Sequence, residues 1–185
     1  MTQRFPPIPM ESMTPEQLRV ANDLINGPRK GLRGPFNALL RNPVLTERVA
    51  KLGDSIRFEN TLPALLREFA IMITAQFWSA DYEWHAHSKL AIELGLNASI
   101  MEDVRVGRRP NGMSAQETLV YQLCHEILVE KDIADDTYAR AVSELGEITL
   151  LDLLTTVAYF GFVSVVLNAI RMPVPEGGNS LTKSA

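Results

Sequence analysis

The chain is expected to be all-α, a helical bundle of seven or eight helices. Two observations lead there. Helix-start signals recur along its 185 residues, each followed by apolar residues at helical spacing. No alternating stretch bounded by hairpin turns competes with them, and there is neither strand–helix alternation nor a Gly-rich phosphate loop.

The elements follow in order. Thr14-Pro15-Glu16-Gln17 supplies an N-cap, a proline at the first helical position and a glutamine to complete a capping box, ahead of Leu18, Ala21, Leu24 and Ile25. Pro28, Gly31 and Gly34 end that element in a loop. Asn42-Pro43 starts a second helix with Leu45, Val49 and Leu52 on one face. Thr61 is read as the cap of a third, carrying Leu65, Leu66, Phe69, Met72 and Ile73. Asp81 is read as the cap of a fourth, with Trp84, His87, Ala91 and Leu94 down one side and Gly95 as its stop. A short fifth spans about Asn97 to Val106. Ser114-Ala115-Gln116-Glu117 is a second capping box, before Leu119, Val120, Leu123, Ile127 and Leu128. Asp135 or Asp136 starts another helix, and the last runs from about Thr149 to Arg171.

Length and composition describe one domain, 1–185, with 46% hydrophobic and 22% charged residues. Residues 1–12, broken by prolines, and 173–185, rich in Gly, Ser, Asn and Pro, are expected to be flexible tails. The balance of 18 basic against 22 acidic residues, without a basic run, gives no footprint for nucleic acid. No signal peptide is expected, because prolines at 6, 7 and 9 interrupt the N-terminal segment. The uncharged run Leu153 to Leu167 falls short of the roughly 20 residues of a membrane span. The expectation is a cytoplasmic protein with no membrane partner. A helix apolar on most sides must still be buried somewhere, and part of the last one is expected to face a second subunit.

Polar groups of chemical interest concentrate between Arg67-Glu68 and His87. Glu68 precedes the apolar run Phe69 to Ile73, so it either sits at a wet edge, pairing with Arg67 or another surface charge, or is buried with a partner and suited to proton transfer. Glu83 and His87 are four apart and share a helix face, where the carboxylate can orient the imidazole and set its tautomer. The plainer reading makes His87 a core histidine satisfied by Glu83. His85 cannot share that face. No metal site is expected, since no second ligand pair accompanies Glu83 and His87 and His125 stands alone. No cofactor is expected either. Cys124, the one cysteine, excludes an internal disulfide and reads as a small buried hydrophobe.

In order along the chain, Gly34-Pro35-Phe36-Asn37, Leu39-Leu40, Asn42-Pro43, Arg57, Arg67-Glu68, Tyr82-Glu83-Trp84-His85-Ala86-His87, Ala91 and Gly95 resemble the carboxymuconolactone decarboxylase superfamily, which includes the alkylhydroperoxidase D branch. The resemblance covers about residues 30–107. It implies an alkylhydroperoxidase D-like helical fold, assembly as trimers or hexamers, and pockets near subunit contacts. The peroxidase branch carries a glutamate, cysteines 12 and 15 positions later and a histidine at 19; counted from Glu68 these fall on Ala80, Glu83 and His87. Both thiols are absent, and dithiol reduction of a peroxide needs two of them.

The resemblance therefore implies the decarboxylase side: a cofactor-free enzyme doing acid–base chemistry on a small, anionic lactone or related carbonyl compound. His87 would move the proton, Glu83 orient it and Glu68 act as second acid or base. Arg57, Tyr82 and Trp84 are the candidate substrate-binding residues, Arg57 as a fork for a carboxylate. The alternatives are an alkylhydroperoxidase-type antioxidant enzyme and a non-catalytic, oligomeric small-molecule-binding protein.

Overall fold

Capping chemistry opens the first helix of the computed structural model, which describes residues 2–181. Gln17 N–H donates to Thr14 Oγ1 at 3.2 Å while Thr14 N–H donates to Gln17 Oε1 at 2.9 Å. The helix α1 (Pro15–Asn26) follows, then the single turn α2 (Phe36–Leu39) and α3 (Pro43–Asp54), which Asn42 caps through Leu45 N–H. A π-helical turn, Ser55–Glu59, leads to α4 (Ala64–Phe77) and α5 (Asp81–Glu93). Gly95 stops α5 at φ +101°, a conformation that favours glycine. Then come α6 (Ala98–Arg105), capped by Asn97, and α7 (Ala115–His125), opened by the reciprocal Ser114–Glu117 bonds. A second π-turn, Glu126–Glu130, precedes α8 (Asp135–Leu145) and the long α9 (Glu147–Ile170). Among the described residues there are nine α-helices and no strand. The fold is all-α, with one helix more than expected.

Several local expectations are overturned by long-range partners. Thr61 does not cap α4, whose N-cap position is Pro63. Instead the Thr61 hydroxyl and N–H both donate to Asp152 Oδ2 at 2.7 Å. Asp81 is the first residue of α5 rather than its cap, and its carboxylate accepts the N–H of Leu181 at 2.9 Å. On α3 the buried positions are Thr46, Ala50 and Gly53, while Leu45 and Leu52 are exposed. Small residues let that helix approach its neighbours closely, and the leucines are left outside.

The chain forms two compact units, Met1–Glu59 with Val166–Pro173 and Asn60–Val165 with Val174–Ala185. The first has its own core of Val20, Ala21, Leu24, Phe36, Leu40 and Ala50. In it the Arg29 guanidinium lies over the Phe36 ring and within 2.7 Å of Asp54 Oδ1. The second has a larger core, in which Leu66, Phe69, Met72, Trp84, Leu119, Leu123, Leu153 and Val157 are buried together.

Helix α9 is longer than the apolar run in the sequence suggests. Its 24 residues, with a mean hydropathy of 2.0 over the most apolar window, would suffice by length and composition to cross a membrane. More than half of that window is buried within the fold, as in the core helix of a water-facing protein. The segment after Pro173 is also more structured than a tail. Residues 174–180 are mostly exposed, but Leu181 is buried in the second core. Residues 182–185 lie outside the described residues.

Candidate active site

Helices α4 and α5 form a tight pair, and it brings the two ends of the Glu68–His87 segment together. Glu68 lies on the side of α4 that faces the second core, and His87 is two turns into α5. The His87 Nδ1 to Glu68 Oε2 distance is 2.6 Å, in the range of charge-assisted hydrogen bonds. Glu83 Oε2 is 3.5 Å from the other ring nitrogen, Nε2. All three side chains are buried, at 1% exposure for Glu68, 4% for Glu83 and 7% for His87. The Phe160 ring of α9 meets the imidazole edge-on, with centroids 5.1 Å apart.

The imidazole is thus held between two carboxylates, one on each nitrogen. With Glu68 ionised, Nδ1–H donates a hydrogen bond to the carboxylate, which fixes the ring's orientation and leaves Nε2 on the opposite side, toward Glu83. At 3.5 Å Glu83 is too far from Nε2 for a good direct hydrogen bond, but its carboxylate faces that nitrogen. The shorter of the two contacts is thus the one to Glu68. Glu68 lies at Nδ1, and Glu83 lies on the Nε2 side of the ring. Glu68 does not pair with Arg67.

Trp84 is a core residue. Tyr82 is half-buried on α5. Arg57 lies on the first π-turn, in the other compact unit, with its guanidinium 5.2 Å from the Phe58 ring centroid. Cys124 is fully buried on α7, and burial pushes its thiol well above the usual range for ionisation. Ala80, at the other position where the resemblance calls for a thiol, is fully buried at the start of α5. Among the described residues no group of three acidic, histidine or cysteine side chains is arranged to hold a metal ion.

Three features escaped the sequence. Phe160, 73 positions from His87 in the chain, gave no local signal. One turn further along α9, the Ser164 hydroxyl is fully buried with no hydrogen-bond partner. On α7, Tyr121 stacks on His125 with ring centroids 6.4 Å apart, and the Arg109 guanidinium lies 5.8 Å from the Tyr121 centroid. Those three residues line an open cavity of about 530 Å³, as do Glu126, Glu130 and Asp132.

No protein-family model matches the chain, and no curated protein matches its sequence. Solved structures do share its fold. An uncharacterized peroxidase-related protein from Ralstonia eutropha JMP134, described as an alkylhydroperoxidase AhpD core, superposes with a TM-score of 0.75 at 15% identity, covering 94% of this chain and 93% of its own. An uncharacterized peroxidase-related protein from Silicibacter sp. TM1040 gives the same TM-score and identity, covering 98% of this chain and 97% of its own. At that identity the likeness is one of architecture, and the chain has the helical fold of the alkylhydroperoxidase AhpD core.

Proposed function

We propose that the protein is a cofactor-free enzyme that uses His87, held between Glu68 and Glu83, for proton transfer to a small carboxylated lactone or related carbonyl compound. The observation that carries this reading is the buried imidazole with a carboxylate at each nitrogen. In a decarboxylation, the bond to the carboxylate breaks and its electron pair moves into the adjacent carbonyl system. Carbon dioxide leaves, and the enolate takes a proton from Nε2–H of the imidazolium. Glu68 holds the ring through Nδ1 during that transfer, and Glu83 returns a proton from solvent to Nε2. The same groups suit lactone hydrolysis, with the imidazole as base toward water. A cytoplasmic location belongs to the same reading.

Thiol peroxidase chemistry fits these residues poorly. The positions of the two thiols are Ala80 and Glu83, and Cys124 is buried with its ionisation suppressed. The test is a panel of carboxylated lactones and 3-oxo acids in deuterated water, read by carbon dioxide release and by deuterium at the carbon that lost its carboxylate. Turnover that disappears in His87→Gln supports the reading. Turnover unchanged in that variant refutes it, and so does a wild-type protein that is inert toward the panel but reduces an organic hydroperoxide with a dithiol.

We also propose that copies of this chain assemble through α9. Ile148, Leu151, Thr155, Ala158, Phe162 and Val165 recur at alternating spacings of three and four, the seam of a coiled coil, on the side of α9 that the fold leaves uncovered. The seam is uncharged, and Phe77 and Trp78 at the end of α4 are exposed as well. The large apolar side chains among these are 40% to 70% exposed. Aromatic side chains bury roughly 150–250 Å² each, so the patch offers on the order of 500 Å² per copy. A pair would bury about 1,000 Å², the lower bound for a specific interface. An uncharged heptad seam is self-complementary, which favours a second copy as its occupant and suits the trimers or hexamers that the sequence resemblance implies.

A further inference from the structure

Helix α5 has a weak beginning. Its N-cap position is Ala80, whose side chain makes no capping bond, and the preceding Ser79 is held at φ +49°. The first N–H groups of a helix have no acceptor within it, so contacts from outside the helix help to hold its first turn. Glu83 lies in that first turn. The chain after Pro173 is seated against this helix. Leu181 N–H donates to Asp81 Oδ1 at 2.9 Å, and its side chain enters the second core. Asn179 Nδ2 lies 3.4 Å from Ser88 Oγ. Gly178 is pressed so closely on His85 that a Cβ there would sit 2.7 Å from the His85 Nδ1, 2.6 Å from Val174 Cγ1 and 2.8 Å from the Pro175 carbonyl oxygen.

These contacts fall on one side of the helix. At about 100° per residue, positions 81, 85 and 88 lie within about 60° of one another, while 83 and 87 lie on the opposite side. The segment runs along the back of α5, and Glu68 and Phe160 meet its front. We propose that residues 174–181 are a strap that positions the site: its seating on Asp81, His85 and Ser88 holds the first turns of α5 in the register that sets the Glu83–His87–Glu68 contacts. Asp81, Gly178 and Leu181 are positioning residues, acting through α5 and touching none of the reacting groups. The proposal rests on reading those three side chains as the site.

The test uses the full chain with Gly178→Ala, for which the strap has no room, and Gly178→Ala combined with Leu181→Ala, which also removes the anchor. Two readouts need no substrate. The first is amide exchange in residues 81–88, expected to accelerate about tenfold or more as the first turns open locally, with α7 unchanged. The second is the downfield proton resonance of the His87–Glu68 hydrogen bond, expected to broaden or disappear. With a substrate in hand, kcat should fall about tenfold to a hundredfold while KM stays nearly constant, since small misplacements of acting groups carry such penalties. A strap that lifts, seen as rapid exchange of residues 174–181, while the proton resonance stays sharp overturns the proposal. A strap still protected in the double variant overturns it too. A resonance that responds as expected in a protein whose turnover is indifferent to His87 leaves the positioning role intact and removes the proposed function.

Discussion

Replacing Glu68 by Gln keeps the side chain's shape and one acceptor oxygen but removes the charge opposite His87 Nδ1. The contact is 2.6 Å long and both partners are buried, so solvent cannot take the lost carboxylate's place. Hydrogen bonds to charged groups contribute about 1.5–3 kcal/mol, and breaking a buried pair by removing one partner costs about 3–5 kcal/mol. An isosteric amide recovers part of that, so the expected loss is about 3 kcal/mol. For a chain of this size each kcal/mol lowers the melting temperature by about 2–4 °C, which predicts a fall of about 6–12 °C. The contrast with Glu83 is sharper than the absolute figure. At 3.5 Å from Nε2 its contact is outside good hydrogen-bond geometry. Double-mutant cycles with His87→Ala, followed by denaturant unfolding, should therefore give about 2–3 kcal/mol of coupling for Glu68 and under about 1 kcal/mol for Glu83. Equal couplings, or a larger one for Glu83, would refute the assignment of Glu68 as the orienting partner.

Phe162→Glu, alone or with Leu151→Lys, should convert the assembled protein to a 20.6 kDa species in light scattering without lowering its helicity. A wild-type monomer at micromolar concentration would end the assembly proposal. Cys124 should resist thiol reagents in the folded protein, and Cys124→Ser should retain turnover while losing about 1–3 kcal/mol for a buried, poorly partnered hydroxyl. Burial raises the folded thiol's pKa, so its contribution is fully present below the unfolded value of about 8.5 and is lost as pH rises toward the folded one. Stability should therefore decline above about pH 8.5 at up to about 1.4 kcal/mol per unit, a slope that Cys124→Ala should abolish. Ser164→Ala should be neutral or stabilising by up to about 1 kcal/mol, since it removes an unpaired buried hydroxyl. A clear loss of stability would mean that the hydroxyl has a partner in solution.

The elements readable in advance were those determined by neighbours in the chain. The Thr14–Gln17 and Ser114–Glu117 boxes, the helix start at Asn42-Pro43 and the Gly95 stop all form within a few residues, and local chemistry decides them. Thr61 and Asp81 carried the same kind of signal and went elsewhere, because their oxygens meet partners 91 and 100 residues away. On α3, periodicity identified an apolar face but could not weigh it against a face of small residues that packs more closely. The site divides along the same line. Glu83 and His87 are a helical pair visible from spacing alone. The shorter bond, to Glu68, crosses between two helices, and only the packing of α4 on α5 reveals it.

The length and apolarity of α9 have a consequence for the protein's biogenesis. A 24-residue helix spans about 36 Å, enough for the hydrocarbon core of a bilayer. Until it docks, insertion machinery could read it as a membrane anchor, and other unfolded chains could read it as a place to aggregate. The order of synthesis works against both outcomes. Residues of α4 to α7 that share the second core with it emerge first, so the surface awaiting α9 can form before the helix is complete. Asn60, Thr61 and His87, which meet Thr156, Asp152 and Phe160, are all in place ahead of it. A substitution that slows the packing of α4 on α5 would thus harm the cell's yield of this protein beyond its effect on equilibrium stability, by prolonging the interval in which α9 has nowhere to go.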